Sequence, residues 1–388
     1  MTIEEESLRL HFENKGKIAT LVKTPLKDNK DLTLAYTPGV AEPCRQINKN
    51  PKEVYKYTNI GNTVAVITDG SAVLGLGDIG PSAGLPVMEG KCVLFKEFGN
   101  VDAFPIALNS NDPDKIVSTI MAISPSFGGI NLEDISAPRC FYIEEKLKKE
   151  LNIPVFHDDQ HGTSIVVLAA LINSLKVVDK KKENIKVVIN GAGAAGIAIT
   201  NALINFGVKD ITLVDSIGII FKGRDNLNRY KEDLAKLTNR QKKKGNLADA
   251  MEGTDVFIGV SRPNLVSKEM VQSMNHDPII FAMANPVPEI MPDIAKDAGA
   301  AVVGTGRSDF PNQINNVLAF PGVFRGAFDA NATEINEEMK LAASMALAKI
   351  VKSPNPDMIL PPVFDKSVSK SISDAVKDAA IKTGVIRE

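Results

Sequence analysis

Three glycines in the chain have the spacing that binds the diphosphate of a nucleotide. Gly191, Gly193 and Gly196 fit G-x-G-x-x-G in the stretch NGAGAAG. In such a turn the first glycine permits a tight bend, the second lets a diphosphate approach the backbone, and the third lets a helix pack against a strand. The helix that follows begins with free N–H groups, which favour an anion. We therefore predict that the turn binds a dinucleotide, together with the residues between the glycines, Ala192, Ala194 and Ala195.

An acidic residue follows this turn at the distance typical of dinucleotide-binding folds. The apolar run 187–189 predicts a strand buried on both faces, 194–206 predicts a helix, and 211–214 predicts a second strand that ends at Asp215. A carboxylate there can accept hydrogen bonds from the adenosine ribose. Because it would also repel a 2′-phosphate, we expect NAD to be favoured over NADP, although Lys222 and Arg224 could bind that phosphate. The alternative, a glycine-rich turn without a ligand, leaves the register of these elements unexplained.

Two pairs of adjacent acids occur where a predicted strand or apolar segment ends. Glu133 and Asp134 follow an apolar segment, and Asp158 and Asp159 follow the predicted strand 152–156. Adjacent carboxylates repel one another unless a cation lies between them or water solvates both. By itself, the first pair is better explained as a loop with acids at the start of a helix. The second pair lies where a strand meets a helix N-terminus, which is the usual ligand edge of an α/β sheet.

Two histidines near the second acidic pair have the spacing of a zinc motif. His157 and His161 are related as in H-E-x-x-H, which requires both histidines on one helix and a glutamate after the first. Here an aspartate follows His157, and the predicted helix begins near Thr163. We therefore do not predict a zinc site.

Other side chains suited to proton transfer or polar recognition lie near predicted loops. Tyr36 precedes the turn pair Pro38-Gly39, and Lys91 lies near a predicted helix start at Gly90. The dipole of a helix would lower the pKa of a lysine at its start, as a general base requires. Three amides could bind a carboxylate or a carboxamide: Asn285, Asn315 and Asn316. For each of these side chains, an ordinary surface or turn residue is the alternative.

The predicted elements that must position these side chains alternate between strand and helix, so the fold class is α/β. The predicted strands are 63–68, 72–76, 101–108, 152–156, 187–189, 211–214, 255–260, 278–284 and 301–304. A chain of 388 residues is long for a single core. We predict an N-terminal α/β domain over 1–155 and a Rossmann-like domain with a doubly wound parallel sheet over 156–388, with C-terminal helices over 334–388.

The composition argues against several classes of function. The chain has 45 basic and 47 acidic residues and a net charge of −2, which gives no field for nucleic acid or an anionic membrane. No apolar run approaches the roughly 18 residues of a membrane span. The three cysteines, at 44, 92 and 140, suit a reducing compartment better than a disulfide framework. With the acidic start MTIEEES, these features predict a cytoplasmic protein whose partner is a small molecule.

A set of motifs occurs in the order of one enzyme family along nearly the whole chain. The motifs are AYTPGVA, TDGSAVLGLGDIG, VMEGK, NLEDI, HDDQHGT, GAGAAG, MANPVPE and QINNVLAFPG. In this set the chain resembles the malic enzymes, of the short prokaryotic type. The resemblance implies oxidative decarboxylation of (S)-malate to pyruvate and CO2, with NAD or NADP as oxidant and Mg²⁺ or Mn²⁺ as metal. It also implies a homodimer at least.

The resemblance assigns roles to the residues above. It implies that Tyr36 is the general acid, that Lys91 is the general base, and that Asp158 takes a neighbouring acid position. The implied metal ligands are Glu133, Asp134 and Asp159. Asn285 and Asn316 match positions that touch cofactor and substrate. Ala72 stands where larger members carry an arginine for a substrate carboxylate, so the groups that must serve instead are backbone N–H groups, Ser71, Asn285, Asn315 and Asn316.

Two other functions compete with this interpretation. One is an NAD(P)-dependent dehydrogenase that acts on a hydroxy acid or an amino acid without decarboxylation. The other is a dinucleotide sensor that has kept the fold and lost the chemistry. A sensor would be expected to lack the lysine, the tyrosine or the acids, and all of these are present.

Overall fold

The computed structural model describes residues 2–73 and 75–387, which form two sheets flanked by helices. The first sheet is parallel, with strand order β2-β1-β3-β4. Its strands are β1 (Thr63–Thr68), β2 (Asp102–Ala107), β3 (Gly129–Leu132) and β4 (Val155–His157). The helices of this half are α1 (Ile3–Asn14), α2 (Asn29–Ala35), α3 (Ala41–Lys49), α4 (Val54–Tyr57), α5 (Pro81–Gly99), α6 (Pro113–Ile123), α7 (Arg139–Glu150) and α8 (Asp158–Val177).

The second sheet has strand order β10-β9-β8-β5-β6-β7, and only its edge strand β7 is antiparallel. Its strands are β5 (Lys186–Asn190), β6 (Asp210–Asp215), β7 (Gly218–Ile219), β8 (Val256–Gly259), β9 (Ile279–Ala282) and β10 (Val302–Thr305). The remaining helices are α9 (Ala194–Phe206), α10 (Arg229–Leu237), α11 (Leu247–Met251), α12 (Lys268–Gln272), α13 (Pro292–Asp297), α14 (Phe320–Asp329), α15 (Glu337–Ile350) and α16 (Ser367–Thr383). The order reverses at β5, which creates the crevice where such sheets bind ligands. The predicted doubly wound sheet is confirmed.

Short 3-10 helices complete the described elements, at Pro51–Glu53, Ile60–Asn62, Ser124–Ser126 and Asn316–Leu318. No helix in the described part of the chain is long and apolar enough to cross a membrane. The predicted boundary between domains at residue 155 stays a prediction. The predicted strand 72–76 is wrong for its described residues, which form a bend and a turn with an isolated bridge between Val73 and Gly77; residue 74 lies outside the described residues.

An aromatic cluster joins the two halves of the molecule. The ring of Phe95 on α5 lies 4.6 Å from that of Phe320 and 5.2 Å from that of Phe324 on α14, and Phe156 of β4 lies 5.7 Å from Phe324. All four rings are buried. Edge-to-face aromatic packing of this kind adds to the stability from burial alone. The cluster fixes α5 and β4, which carry candidate site residues, against the C-terminal helices.

Two helices begin earlier than predicted, and both carry site residues. Helix α5 begins at Pro81 rather than near Gly90, so Lys91 lies in the helix interior. Helix α8 begins at Asp158 rather than near Thr163. In both cases a glycine inside the helix suggested a loop, whereas packing against the sheet stabilises helix there.

Residues 2–59 form what we call the N-terminal arm, which contains no buried residue. Several of its apolar side chains are largely exposed, including Leu8 at 74%, Phe12 at 86% and Leu21 at 84%. Several large exposed apolar side chains in one segment are typical of an interaction surface.

Candidate active site

The loops that follow the parallel strands surround a cavity of about 840 Å³. Its polar and charged lining residues include Ser71, Asp134, Ser136, Asp159, Thr163, Ser261, Arg262, Asn285, Asn315 and Asn316. The start of α9 lines the same cavity with Gly193, Ala194 and Ala195. The cavity therefore joins the carboxyl ends of strands from both sheets.

Three predicted metal ligands lie together at one side of this cavity. One carboxylate oxygen from each of Glu133, Asp134 and Asp159 lies within 4.8 Å of the others. They meet because β3 and β4 are adjacent parallel strands whose carboxyl ends share one edge. The backbone N–H of Asp134 also donates to Oδ2 of Asp159 at 2.8 Å. Three oxygen donors suit Mg²⁺ or Mn²⁺ better than zinc, which prefers nitrogen and sulfur, so these residues fit the predicted metal.

Lys91 forms a buried charge cluster beside those carboxylates. Its Nζ lies 2.6 Å from Oδ2 of Asp158 and 3.0 Å from Oε1 of Glu133. Asn316 donates from Nδ2 to the same Asp158 oxygen at 2.5 Å. The ammonium also lies 4.4 Å from the centroid of the Phe320 ring. The lysine is thus connected to both the metal ligands and the cavity wall.

The electrostatics of Lys91 differ from the expectation that a helix start lowers its pKa. Burial alone would lower that pKa, but the negative charges of Asp158 and Glu133 outweigh burial and raise it above its usual value. Burial raises the pKa of Glu133 well above its ordinary range, with Lys91 opposing the shift. Burial likewise raises the pKa of Asp158. The structure therefore places the Lys91 ammonium in direct contact with two acids to which it could transfer a proton.

The two histidines that suggested zinc have other surroundings. Because α8 begins at Asp158, His161 does lie on the helix, contrary to the prediction. Its Nε2 pairs with Oε1 of buried Glu144 at 2.7 Å, and burial lowers the pKa of His161 to about 4. Within the described residues, the group able to hold a metal consists of carboxylates and contains neither His157 nor His161.

The glycine-rich turn has the backbone geometry that a diphosphate requires. Gly191 has φ +114°, and a Cβ there would lie 2.6 Å from the carbonyl oxygen of Val260. At Gly193 nothing lies within 4 Å, which leaves room for a ligand. A Cβ on Gly196 would overlap the carbonyl oxygen of Gly191. Helix α9 begins directly afterwards without a side-chain cap, so its first N–H groups fit an anion.

Asp215 ends β6 as predicted, but its carboxylate is already engaged. Arg224 donates to both oxygens at 3.0 and 2.6 Å, and Lys231 donates to Oδ2 at 2.8 Å. The backbone N–H of Ile217 adds a fourth hydrogen bond at 3.0 Å. Burial opposes ionisation of Asp215, yet the hydrogen bonds from Arg224 and Lys231 outweigh it and hold the pKa far below its usual range. The prediction assumed a carboxylate free to face a ribose, whereas two cations accompany this one.

The other predicted polar residues line the cavity, and some of their polar groups form hydrogen bonds within the protein. Ser71 donates its hydroxyl to Asp69 at 2.5 Å and accepts from the N–H of Ser136 at 2.9 Å. Asn315 accepts from the N–H of Val317 at 2.9 Å. The Ser71 hydroxyl thus holds its own loop in place. Asn285 lines the cavity just beyond the end of β9.

Arg262 was not predicted from the sequence, although it is the one basic residue among the described residues that line the cavity. It is exposed and follows β8, the strand next to the glycine-rich turn. The available signal was its position two residues after the predicted strand 255–260, in the run IGVSR.

Tyr36 lies apart from these groups. It follows α2 in the N-terminal arm, its exposed fraction is 66%, and it is absent from the described lining of the cavity. Its predicted role as general acid stays a prediction.

Comparison with known proteins agrees with this geometry. Residues 15–148 match the family model of the malic enzyme N-terminal domain, and residues 160–381 match that of the malic enzyme NAD binding domain. The chain is 60% identical to a bifunctional malic/malolactic enzyme of Bacillus subtilis over 100% of this chain and 95% of that protein. It is 56% identical to an NAD-dependent malic enzyme of Geobacillus stearothermophilus, and that match covers 100% of this chain and 81% of that protein. It is 48% identical to an NADP-dependent malic enzyme of Escherichia coli, and that match covers 99% of this chain and 53% of that protein.

Solved structures agree as well. The crystal structure of malic enzyme from Pyrococcus horikoshii has a TM-score of 0.96 and 49% identity, and the match covers 100% of this chain and 92% of that one. The two family models together span most of the sequence, and the chain belongs to the malic enzyme family.

Proposed function

We propose that this protein oxidises and decarboxylates (S)-malate to pyruvate and CO2, reduces NAD⁺ or NADP⁺, and depends on Mg²⁺ or Mn²⁺. The observation that carries the proposal is one cavity that adjoins three clustered carboxylates, a buried lysine–aspartate pair and a dinucleotide turn. A dehydrogenase without decarboxylation would need a cofactor site and a base. It would have no need for a carboxylate cluster able to hold a divalent cation beside the base.

The chain's own residues account for proton movement at C2 of malate. When bound, a divalent cation at Glu133, Asp134 and Asp159 would supply a Lewis acid, and the nicotinamide would supply the hydride acceptor. Lys91 gives a proton from Nζ to Oδ2 of Asp158, and its free amine then removes the proton of the C2 hydroxyl. The amide of Asn316 donates to the same Asp158 oxygen and keeps it oriented.

Protonation of C3 after loss of CO2 requires an acid, which we assign to Tyr36. The N-terminal arm buries no residue and exposes large apolar side chains. A homodimer in which the arm of one chain covers the cavity of its partner would bury this surface and bring Tyr36 to a site. The proposed enzyme is therefore a homodimer with composite sites, and it acts in the cytoplasm.

The charges around Asp215 bear on the choice of nicotinamide cofactor. A lone carboxylate would repel a 2′-phosphate, but Arg224 and Lys231 contribute two positive charges against its single negative charge. We propose that both cofactors are used, with a smaller preference for NAD than Asp215 alone would impose. Relatives with names that specify either cofactor are consistent with such a balance.

A turnover experiment tests this proposal. Protein, malate, Mn²⁺ and NAD⁺ are mixed, and reduced cofactor, pyruvate, lactate and oxaloacetate are measured. We expect one pyruvate per reduced cofactor and no turnover by Lys91→Ala. Accumulation of oxaloacetate in place of pyruvate would favour the dehydrogenase without decarboxylation.

A further inference from the structure

We propose that Glu289, in the motif MANPVPE, is a positioning residue that sets the spacing of two loops that contact the dinucleotide. This inference rests on the proposed function, because it assumes that the cavity binds an anionic nicotinamide dinucleotide. Glu289 does not line the cavity and does not touch the reacting groups.

The carboxylate of Glu289 is completely buried, with an exposed fraction of 0%. Its Oε1 accepts from the backbone N–H of Ser261 at 3.0 Å, and its Oε2 accepts from the backbone N–H of Ala284 at 3.0 Å. Among the described hydrogen bonds and ion pairs, no basic side chain contacts it. Burial raises the pKa of Glu289, and the backbone donors oppose that shift. The group is thus a buried acid that two loop backbones stabilise.

Backbone contacts extend the same connection. The N–H of Asn264 donates to the carbonyl of Pro288 at 3.1 Å, and the N–H of Val266 donates to that of Glu289 at 3.0 Å. The segment 261–266 is therefore attached to 284–289 through these two bonds, and the Glu289 side chain adds one bond to each segment. A Cβ on Gly259 would overlap this carboxyl group, so the strand end approaches it as closely as glycine allows.

These two loops follow β8 and β9, adjacent parallel strands at the ligand edge of the sheet. The first loop carries Arg262, and the second carries Asn285; both line the cavity together with Ala194 at the dinucleotide turn. The position of the first loop decides where the positive charge of Arg262 lies. The position of the second decides where the Asn285 amide lies.

Stability alone does not explain this carboxylate. A buried acid without a cation costs free energy that an apolar side chain of similar size would avoid. Its two oxygens do, however, hold two N–H groups at a fixed separation, which an apolar side chain cannot do. We therefore assign Glu289 to the geometry of the binding site.

The test compares Glu289→Gln with Asp255→Asn. In the glutamine variant one of the two N–H donors faces an amide NH2 instead of an oxygen and is left unsatisfied. Asp255 is a control for general destabilisation: it is also buried, precedes β8 at the opposite edge of the same sheet, and accepts from the backbone N–H of Lys186 at 2.8 Å, and unlike Glu289 it also pairs with Lys180 at 2.8 Å. The dissociation constant of NAD⁺ is measured by calorimetry without malate or metal, and Tm is measured for each protein.

We expect Glu289→Gln to weaken NAD⁺ binding by about tenfold. Asp255→Asn should lower Tm by a similar amount and leave the dissociation constant of NAD⁺ unchanged. Equal affinity in Glu289→Gln and wild type, or equal weakening in both variants, would overturn the inference. If Glu289→Gln does not fold, Glu289→Asp, whose shorter side chain cannot reach both donors, is judged by the same criterion. Absence of NAD⁺ binding by the wild type would instead overturn the proposed function.

Discussion

Substitution of Asp159 by asparagine should abolish stabilisation by Mn²⁺. The carboxylates of Glu133 and Asp158 pair with the ammonium of Lys91, and Asp134 and Asp159 cluster with Glu133. The three proposed ligands come from the ends of two strands and meet only in the folded chain. A cation that binds the folded state alone stabilises it by mass action.

The size of this effect follows from the length of the chain. At a Mn²⁺ concentration of about 100 times Kd, the free energy of unfolding rises by about 2.7 kcal/mol. Unfolding entropy is about 2.1 cal/mol/K per residue, or about 0.8 kcal/mol/K for the 388 residues. We therefore expect the Tm of the wild type to rise by about 3 °C.

Calorimetry with and without Mn²⁺ provides the assay, with Glu183→Gln as an exposed control. The amide oxygen that replaces a carboxylate oxygen in Asp159→Asn can still accept the N–H of Asp134, while one repelling charge is lost. Without cation, Asp159→Asn should thus be at least as stable as the wild type. With Mn²⁺, its Tm should not change, whereas the control should shift like the wild type. An equal shift in Asp159→Asn would refute the proposed ligand set.

Further predictions concern the dimer, the cofactor and acid stability. A mixture of Lys91→Ala and Tyr36→Phe chains, each inactive alone, should regain about a quarter of the wild-type activity. Half of the mixed dimers contain one chain of each kind, and each of these has one intact composite site out of two. If no activity is recovered, both residues belong to the site of the same chain. Lys231→Ala should raise the KM for NADP⁺ by about tenfold and change that for NAD⁺ little; equal changes in steady-state kinetics would contradict this. The pKa of Asp215 is lowered in the folded state. Its pairing therefore stabilises the protein at pH values above the ordinary carboxyl pKa of about 4, and this stabilisation is lost as the pH falls through the lower pKa of the folded state. Urea unfolding should therefore show lower stability for Asp215→Asn at neutral pH, with the difference from wild type shrinking in acid; a difference independent of pH would contradict the pairing.

The dinucleotide turn could be predicted from the sequence because its determinants are local. The glycine spacing, the apolar run before it and the acid after it all lie within 187–215, and each has a meaning in backbone geometry. The carboxylate cluster was predicted through resemblance. Its three acids meet only because β3 and β4 pair side by side, which no local pattern encodes.

The pKa of Lys91 and the surroundings of Asp215 could not be predicted in the same way. The start of α5 contains prolines and glycines that favour a loop, yet packing through Met88 and Phe95 makes it helical. The partners of Lys91 come from other strands and helices. The pairing of Asp215 with Lys231 depends on how the intervening loop folds back, and long-range contacts decide that.

The most direct test of the central claim follows the carbon that should leave as CO2. Malate labelled at the C4 carboxyl group is turned over with Mn²⁺ and NAD⁺, and the label is counted in gas and in solution. The proposed chemistry requires one labelled CO2 for each NADH, with unlabelled pyruvate in solution. Formation of NADH with the label retained in a four-carbon acid would contradict it.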